Sequence, residues 1–194
     1  PEFRVRDAAE TENTRKTLGL PENYILYVGT LEPRKSLPVL IESYARLLAN
    51  KSCAEHLVIV GKKGWGYDEL LKRLEVPELC GRVQMTGYLD QKYLPDVYAG
   101  ARLFVYPSRM EGFGLPPLEA MACGVPTIST RTSSLSENLE GAAELVPVEF
   151  YLESLGIEPP SLAFVLSAEA GAAFQDLTLS GRDDELVRQV RYAW

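Results

Sequence analysis

Glu111 and Glu119 stand eight positions apart in the stretch EGFGLPPLEAMACGVP, residues 111 to 126, and the second lies inside an apolar run. A buried carboxylate without a partner is costly, so Glu119 must be paired, reach an opening or serve a ligand. Between the two acids, Gly112, Phe113, Gly114 and Leu115 lead into a helix whose first turn holds Pro116 and Pro117. Proline is tolerated there because first-turn N–H groups have no intrahelical partner. The remaining N–H groups and the helix dipole make an anion site, and a phosphate suits it. Glu119 lies about one turn further in, ~6 Å along the axis, where it could accept hydrogen bonds from vicinal hydroxyls. Glu111 would face the other end of the same ligand. An anion flanked by hydroxyls at both ends describes a sugar joined through phosphate to a ribose.

Positive charge is supplied from a second stretch. In GTLEPRKSL, residues 29 to 37, Arg34 and Lys35 sit between an apolar run and a helical pattern, where they could meet a diphosphate. Charge-assisted hydrogen bonds of this kind contribute roughly 1.5–3 kcal/mol each.

The elements that must position these residues read as a regular alternation. YILYVG (24–29), HLVIVG (56–61), VQMTG (83–87), RLFVYP (102–107) and VPTIST (125–130) are near-continuous apolar strands, which suits a parallel sheet covered on both faces. Between them, Leu40, Ile41, Tyr44, Leu47 and Leu48 make one helical stripe over residues 37–49. Shorter helices are expected over 67–74, 92–101 and 115–123. An amphipathic helix is expected from about Asp7 to Leu18, closed by Gly19 and Pro21. Such alternation predicts a single α/β domain built on a doubly wound, Rossmann-like parallel sheet. Ligands collect at the carboxyl ends of strands in such sheets, and here those ends carry Gly29–Thr30, Gly61–Lys62 and Gly87–Tyr88. For any one of these glycines, a tight turn between strand and helix is the better reading. The stretch 147–182 has no assignable rhythm, and 183–194 reads as a final helix.

Composition narrows the function. At 194 residues and a net charge of −7, with no basic stripe, the chain is unsuited to non-specific nucleic-acid binding. Its apolar runs are too short for a membrane span. Cys53, Cys80 and Cys123 lack metal-ligand spacing and point to a reducing, cytoplasmic compartment, and no metal site is expected. His56 is the single histidine and reads as structural, which argues against a histidine-dependent triad. Pro1-Glu2-Phe3 reads as a cloning scar, so residues 1–21 are expected to be scar plus lead-in helix.

The blocks VGTLEPRKSL, HLVIVGKKGW, VQMTGYLD, LFVYPSRMEGFGLPPLEAMACGVPTIST and SSLSENLEGAA resemble the carboxyl-terminal, nucleotide-sugar-binding domain of family 4 retaining glycosyltransferases with the GT-B fold. The resemblance covers about residues 22–146 and leaves 147–194 as an atypical ending. It implies that Arg34 and Lys35 hold the donor diphosphate and stabilise its departing charge. It further implies that Glu111 contacts the transferred sugar, and that Gly112, Phe113, Gly114 and Leu115 cradle sugar hydroxyls and phosphate. Glu119 matches the ribose-binding glutamate, and Gly29, Thr30, Tyr88 and Leu89 border the donor. No cofactor is implied beyond the nucleotide-sugar substrate. The GTLEPRK pattern is similar to that of polysaccharide mannosyltransferases, favouring GDP-mannose over a UDP-sugar and a glycan or lipid-linked acceptor in polysaccharide or envelope assembly. Thr30 replaces a frequent arginine, and Ser36 a frequent glycine or asparagine. The amino-terminal acceptor domain of a GT-B enzyme is not in this sequence, so half an enzyme is expected, inactive alone. The alternatives are a standalone subunit of a split glycosyltransferase and a degenerate interaction module. Several side chains carry a plainer reading too. Glu119 could pair with Arg131, Trp65 could be a lid or a loop anchor, Lys62 and Lys63 read as solvated, and Phe104 and Tyr106 as core.

Overall fold

Strands β1 (Tyr24–Val28), β2 (His56–Val60), β3 (Val83–Gly87), β4 (Leu103–Tyr106), β5 (Thr127–Arg131) and β6 (Glu144–Pro147) form one sheet, ordered β3-β2-β1-β4-β5-β6, with every pairing parallel. The structure, a computed structural model, describes residues 2–147. The expected final helix and the irregular segment before it lie outside the described residues. The register runs Tyr24↔His56 and Ile25↔Leu103 on the two sides of β1. All five residues of β1 and all four of β4 are buried, as expected for central strands covered on both faces. Edge strand β3 keeps partial exposure along its length.

The helices are α1 (Ala8–Thr17), α2 (Leu37–Ala49), α3 (Tyr67–Leu74), α4 (Leu94–Ala99), α5 (Leu115–Ala122) and α6 (Ser133–Leu139). In α2, Leu37, Leu40, Ile41, Tyr44 and Leu47 face the core, and Leu48 is only partly buried against it. Helix α1 begins where expected, on an Asp7–Glu10 capping box. Its buried face corrects the amphipathic expectation, because the residues that it buries are Thr11 and Thr14. Polar contacts dock it instead. Thr14 donates to Asp96 Oδ2 at 2.5 Å and Arg6 to Oδ1 of the same carboxylate at 2.7 Å, tying the amino-terminal segment to α4. Helix α4 is shorter than predicted. Residues Gln91–Tyr93 form a 3-10 turn ahead of it, and Gly100 caps its end. Helix α6 and strand β6 extend the alternation beyond the elements predicted from the sequence.

Candidate active site

From β1 the chain winds outward through β2 and β3, and from β4 it winds the other way through β5 and β6. The loops after β1 and β4 therefore flank the point where strand order reverses, the place at the strands' carboxyl ends where open α/β sheets bind ligands. Arg34 and Lys35 lie in the first loop, within a 3-10 turn spanning Pro33–Lys35, and Glu111 through Leu115 lie in the second. Arg109 N–H donates to Arg34 carbonyl at 2.7 Å, and Arg109 Nε to Ser36 Oγ at 2.9 Å, joining the two loops. Ser36 has φ 51°, a left-handed conformation that explains why glycine or asparagine is commoner at such a position. Its hydroxyl, held by Arg109, is a contact glycine could not make.

Glu111 is the hub of this junction. Its Oε1 accepts from Lys35 Nζ, from Ser108 Oγ and, at 3.1 Å, from Tyr106 OH, while Arg34 Nη1 lies 3.4 Å from Oε2. Burial alone would raise the Glu111 pKa, but the Lys35, Ser108 and Tyr106 contacts outweigh it and hold the carboxyl below its ordinary value. Lys35 is 5% exposed, with Nζ 2.6 Å from Tyr106 OH and above the same ring. Burial and the adjacent Glu111 push the Tyr106 phenol upward, so it stays protonated and donates. Lys35 was expected to face a diphosphate directly. Here it is committed to Glu111, because a buried ammonium needs a paired anion. Arg34 is the more accessible cation, although Glu32 Oε1 at 2.6 Å and Met110 carbonyl at 2.8 Å already engage it.

The loop beyond Glu111 is held from below by α6, an element the sequence reading passed over. Glu111 N–H donates to Ser133 Oγ at 3.1 Å, Ser134 Oγ donates to Glu111 carbonyl at 3.0 Å, and Asn138 Nδ2 to Phe113 carbonyl at 2.7 Å. Gly114 caps α5 at φ 81°, and a Cβ there would meet Leu135 Cδ2 at 2.4 Å. Glycine is required on both counts. With two loop carbonyls occupied, the N–H groups of Gly112, Phe113, Gly114 and Leu115 donate to no acceptor among the described residues. A Cβ added at Gly112 would meet nothing within 4 Å. Four open donors thus lie together beside the start of α5, an arrangement that suits an anion.

Glu119 does not pair with Arg131, which lies 3.7 Å from Glu140 instead. Its partner is neutral: Tyr98 OH donates to Glu119 Oε2 at 2.8 Å. Burial raises the Glu119 pKa, the Tyr98 bond pulls it partly back, and the charge of Glu2 adds to the rise.

The remaining expected residues are spread along the same edge. Gly29 fits tightly: a Cβ there would meet Tyr27 OH at 2.8 Å, and one on Gly61 would meet Gly29 carbonyl at 1.8 Å, so the protein's own backbone uses the close approach. Thr30 is half-buried, its carbonyl 3.5 Å from Tyr27 OH. Tyr88 is 74% exposed and Leu89 packs against the core, both beyond β3, two strands and about 10 Å from β1. Trp65 is 71% exposed, which weighs against the anchor reading. Lys62 and Lys63 are exposed, and His56 opens β2 at the opposite edge of the sheet. A cleft of about 330 Å³ also lies at that opposite edge, between α1 and α4, lined by Thr11, Arg15, Tyr24 and Asp96.

Sequence reasoning placed Tyr106 in the core. Its ring is there, but its hydroxyl serves the site. Tyr98, Ser108 and Ser133 were missed. A usable signal existed in LFVYPS: a tyrosine ending an otherwise apolar strand, with serine two positions later, brings hydroxyls to the strand's carboxyl end.

The arrangement defines a Rossmann-like α/β domain with four open N–H donors beside its switch point. Residues 10–145 match the family described as Glycosyl transferases group 1, and the chain belongs to that family. It is 43% identical over 125 residues to the O-antigen chain mannosyltransferase B of Escherichia coli, covering 64% of this chain and 32% of that protein. Among solved structures, the sucrose-phosphate synthase of Thermosynechococcus elongatus superposes with a TM-score of 0.67 at 26% identity, over 98% of this chain and 45% of the other. The carboxyl-terminal domain of a glycosyl transferase group 1 protein from Francisella tularensis shares the fold at a TM-score of 0.64 and 22% identity, over 98% and 90%. The chain thus spans about a third of the mannosyltransferase that it matches.

Proposed function

We propose that this chain is the donor-binding half of a retaining hexosyltransferase, holding a nucleoside-diphosphate sugar at the β1/β4 switch point. The observation that carries the reading is the placement of Arg34 and Lys35 opposite four open N–H donors, Gly112 to Leu115, with a glutamate on each side. The diphosphate lies on the open donors and Arg34. Glu111 meets the sugar hydroxyls and Glu119 the ribose. The base lies toward Tyr88 and Leu89. As the bond from the sugar's anomeric carbon to the diphosphate breaks, its electron pair moves onto phosphate oxygen. Fixed N–H dipoles and the Arg34 guanidinium beside that oxygen stabilise the growing charge. An acceptor hydroxyl then bonds to the anomeric carbon and passes its proton to the departing diphosphate oxygen.

GDP-mannose is the proposed donor, supported by the GTLEPRK pattern and by the mannosyltransferase relative. The acceptor is a glycan or lipid-linked glycan in polysaccharide or envelope assembly. The free thiols of Cys53, Cys80 and Cys123 suit the cytoplasm. Acceptor binding falls to an amino-terminal half, without which this chain binds donor but does not transfer sugar. Trp65, Tyr88, Met110, Phe113 and Leu115 are exposed on the loops of the site edge, an apolar rim suited to being covered.

Calorimetric titration with GDP, UDP and ADP tests the reading. GDP is expected to bind selectively, with affinity falling about tenfold or more in Glu119→Ala. A folded chain that binds none of the three rejects it.

A further inference from the structure

Tyr98 sits at the end of α4, fully buried, and only its hydroxyl engages the site. Its ring is clamped edge-on by Phe3 at 5.8 Å and tilted against Phe104 at 5.5 Å. Phe104 in turn stacks on Tyr106 at 5.9 Å, and Tyr106 on Tyr27 at 5.9 Å. One row of rings therefore runs beneath both acids, and each acid is gripped by a phenol from that row: Glu111 by Tyr106, Glu119 by Tyr98. Alternate positions of β4 supply Phe104 and Tyr106 to the same face, so the strand's pleat sets part of this spacing.

The two grips differ in what they leave over. Glu111 has contacts on both carboxylate oxygens. Among the described residues, Glu119 accepts one hydrogen bond, on Oε2, and its Oε1 accepts none. A phenol locked by packing thus fixes one oxygen and leaves the other presented. A carboxylate on a helix with a flexible side chain would otherwise sample several rotamers, and ordering it would be charged against ligand binding.

We infer that Tyr98 is a positioning residue for Glu119, aiming its carboxylate at the vicinal hydroxyls of the donor ribose through a hydroxyl held in place by Phe3 and Phe104. The inference rests on the donor-binding reading above and assigns a role to a residue that does not itself touch the ligand.

The test compares GDP with 2′,3′-dideoxy-GDP, by calorimetry on the 194-residue chain and on Tyr98→Phe, which removes only the oxygen. The parent is expected to prefer the ribonucleotide by about tenfold or more. Tyr98→Phe is expected to erase most of that preference and leave dideoxy-GDP affinity unchanged. A purely structural role would weaken both ligands together, and that result, or a preserved preference, overturns the inference. Phe104→Leu supplies a second variant, keeping the hydroxyl but loosening its clamp. A smaller loss confined to the ribonucleotide is expected, and equal loss for both nucleotides overturns. Carbon-13 NMR of the Glu119 carboxyl in the ligand-free chain gives a readout that needs no nucleotide. Tyr98→Phe should move its titration midpoint upward, with Glu2 and Cys123 as the other ionisable groups nearby. An unmoved midpoint overturns the inference. Failure of the parent to bind either GDP or UDP defeats the donor reading and the inference with it, whereas binding without altered ribose preference defeats the inference alone.

Discussion

Glu111 and Glu119 belong to one motif, and both are substantially buried, yet the fold treats them in opposite ways. Glu111 is surrounded by Lys35, Arg34, Ser108 and Tyr106 and is held as an anion below its ordinary pKa. Glu119 faces a single neutral phenol, and burial lifts its pKa. The first carboxylate binds the molecule together across the β1/β4 switch point. The second is kept in a less favourable state, which a ligand's hydroxyls would relieve. A buried charge with all its partners in place is costly to break, whereas one left partly open is available to binding.

The contrast breaks if Glu111→Ala is tolerated. That substitution leaves the Lys35 ammonium buried and unpaired, and a loss of about 3–5 kcal/mol is expected in urea unfolding. Lys35→Met combined with Glu111→Gln should lose much less than the two single changes summed. A smaller effect is expected from Gly114→Ala, about 1–3 kcal/mol, because the new methyl meets Leu135 in a left-handed backbone. Since Gly114 orients the open donors but touches neither acid, nucleotide affinity should fall alongside stability.

The pH dependence sharpens the comparison, because the two acids have opposite signs. Glu111, lowered on folding, contributes stability that is fully present above the ordinary carboxylate value near 4.5 and is lost as pH falls through its folded value. Glu119, raised on folding, binds protons more tightly in the folded chain, so stability declines as pH rises from about 4.5 through its folded value. Glu119→Gln should therefore remove that decline and leave the ligand-free chain slightly more stable at pH 7, by less than about 1 kcal/mol. Urea midpoints of parent and variant between pH 4 and 7 check it. A variant less stable than the parent throughout would mean that Glu119 holds the fold rather than waiting for a ligand.

Much of the scaffold was legible in the amino-acid order. The runs at 24–28, 57–60 and 103–106 are apolar throughout because central parallel strands are buried on both faces, and α2 carried a clear stripe. Elements whose stability comes from neighbours were harder to see. Helix α6, seven residues of SSLSENL, buries only Leu135 and Leu139, too little for a helical pattern, and β6 is four residues long. Helix α1 was placed by its caps, while its docking through Asp96 required knowing that residues 6, 14 and 96 meet.

The sequence by itself determined which chemical groups are present and which local turns they occupy. Two acids eight apart, a Gly-Phe-Gly lead into a proline-started helix and a basic pair after a strand are all set within a few residues, by short-range sterics and periodicity. Only the tertiary structure decided how those groups are charged and where they point. That Lys35 turns inward to Glu111 and Tyr106, and that Tyr98 grips Glu119, depends on contacts between residues 21 to 76 positions apart. The physical reason is that a pKa and a rotamer are set by burial and by partners in space, and neither is encoded in any one segment.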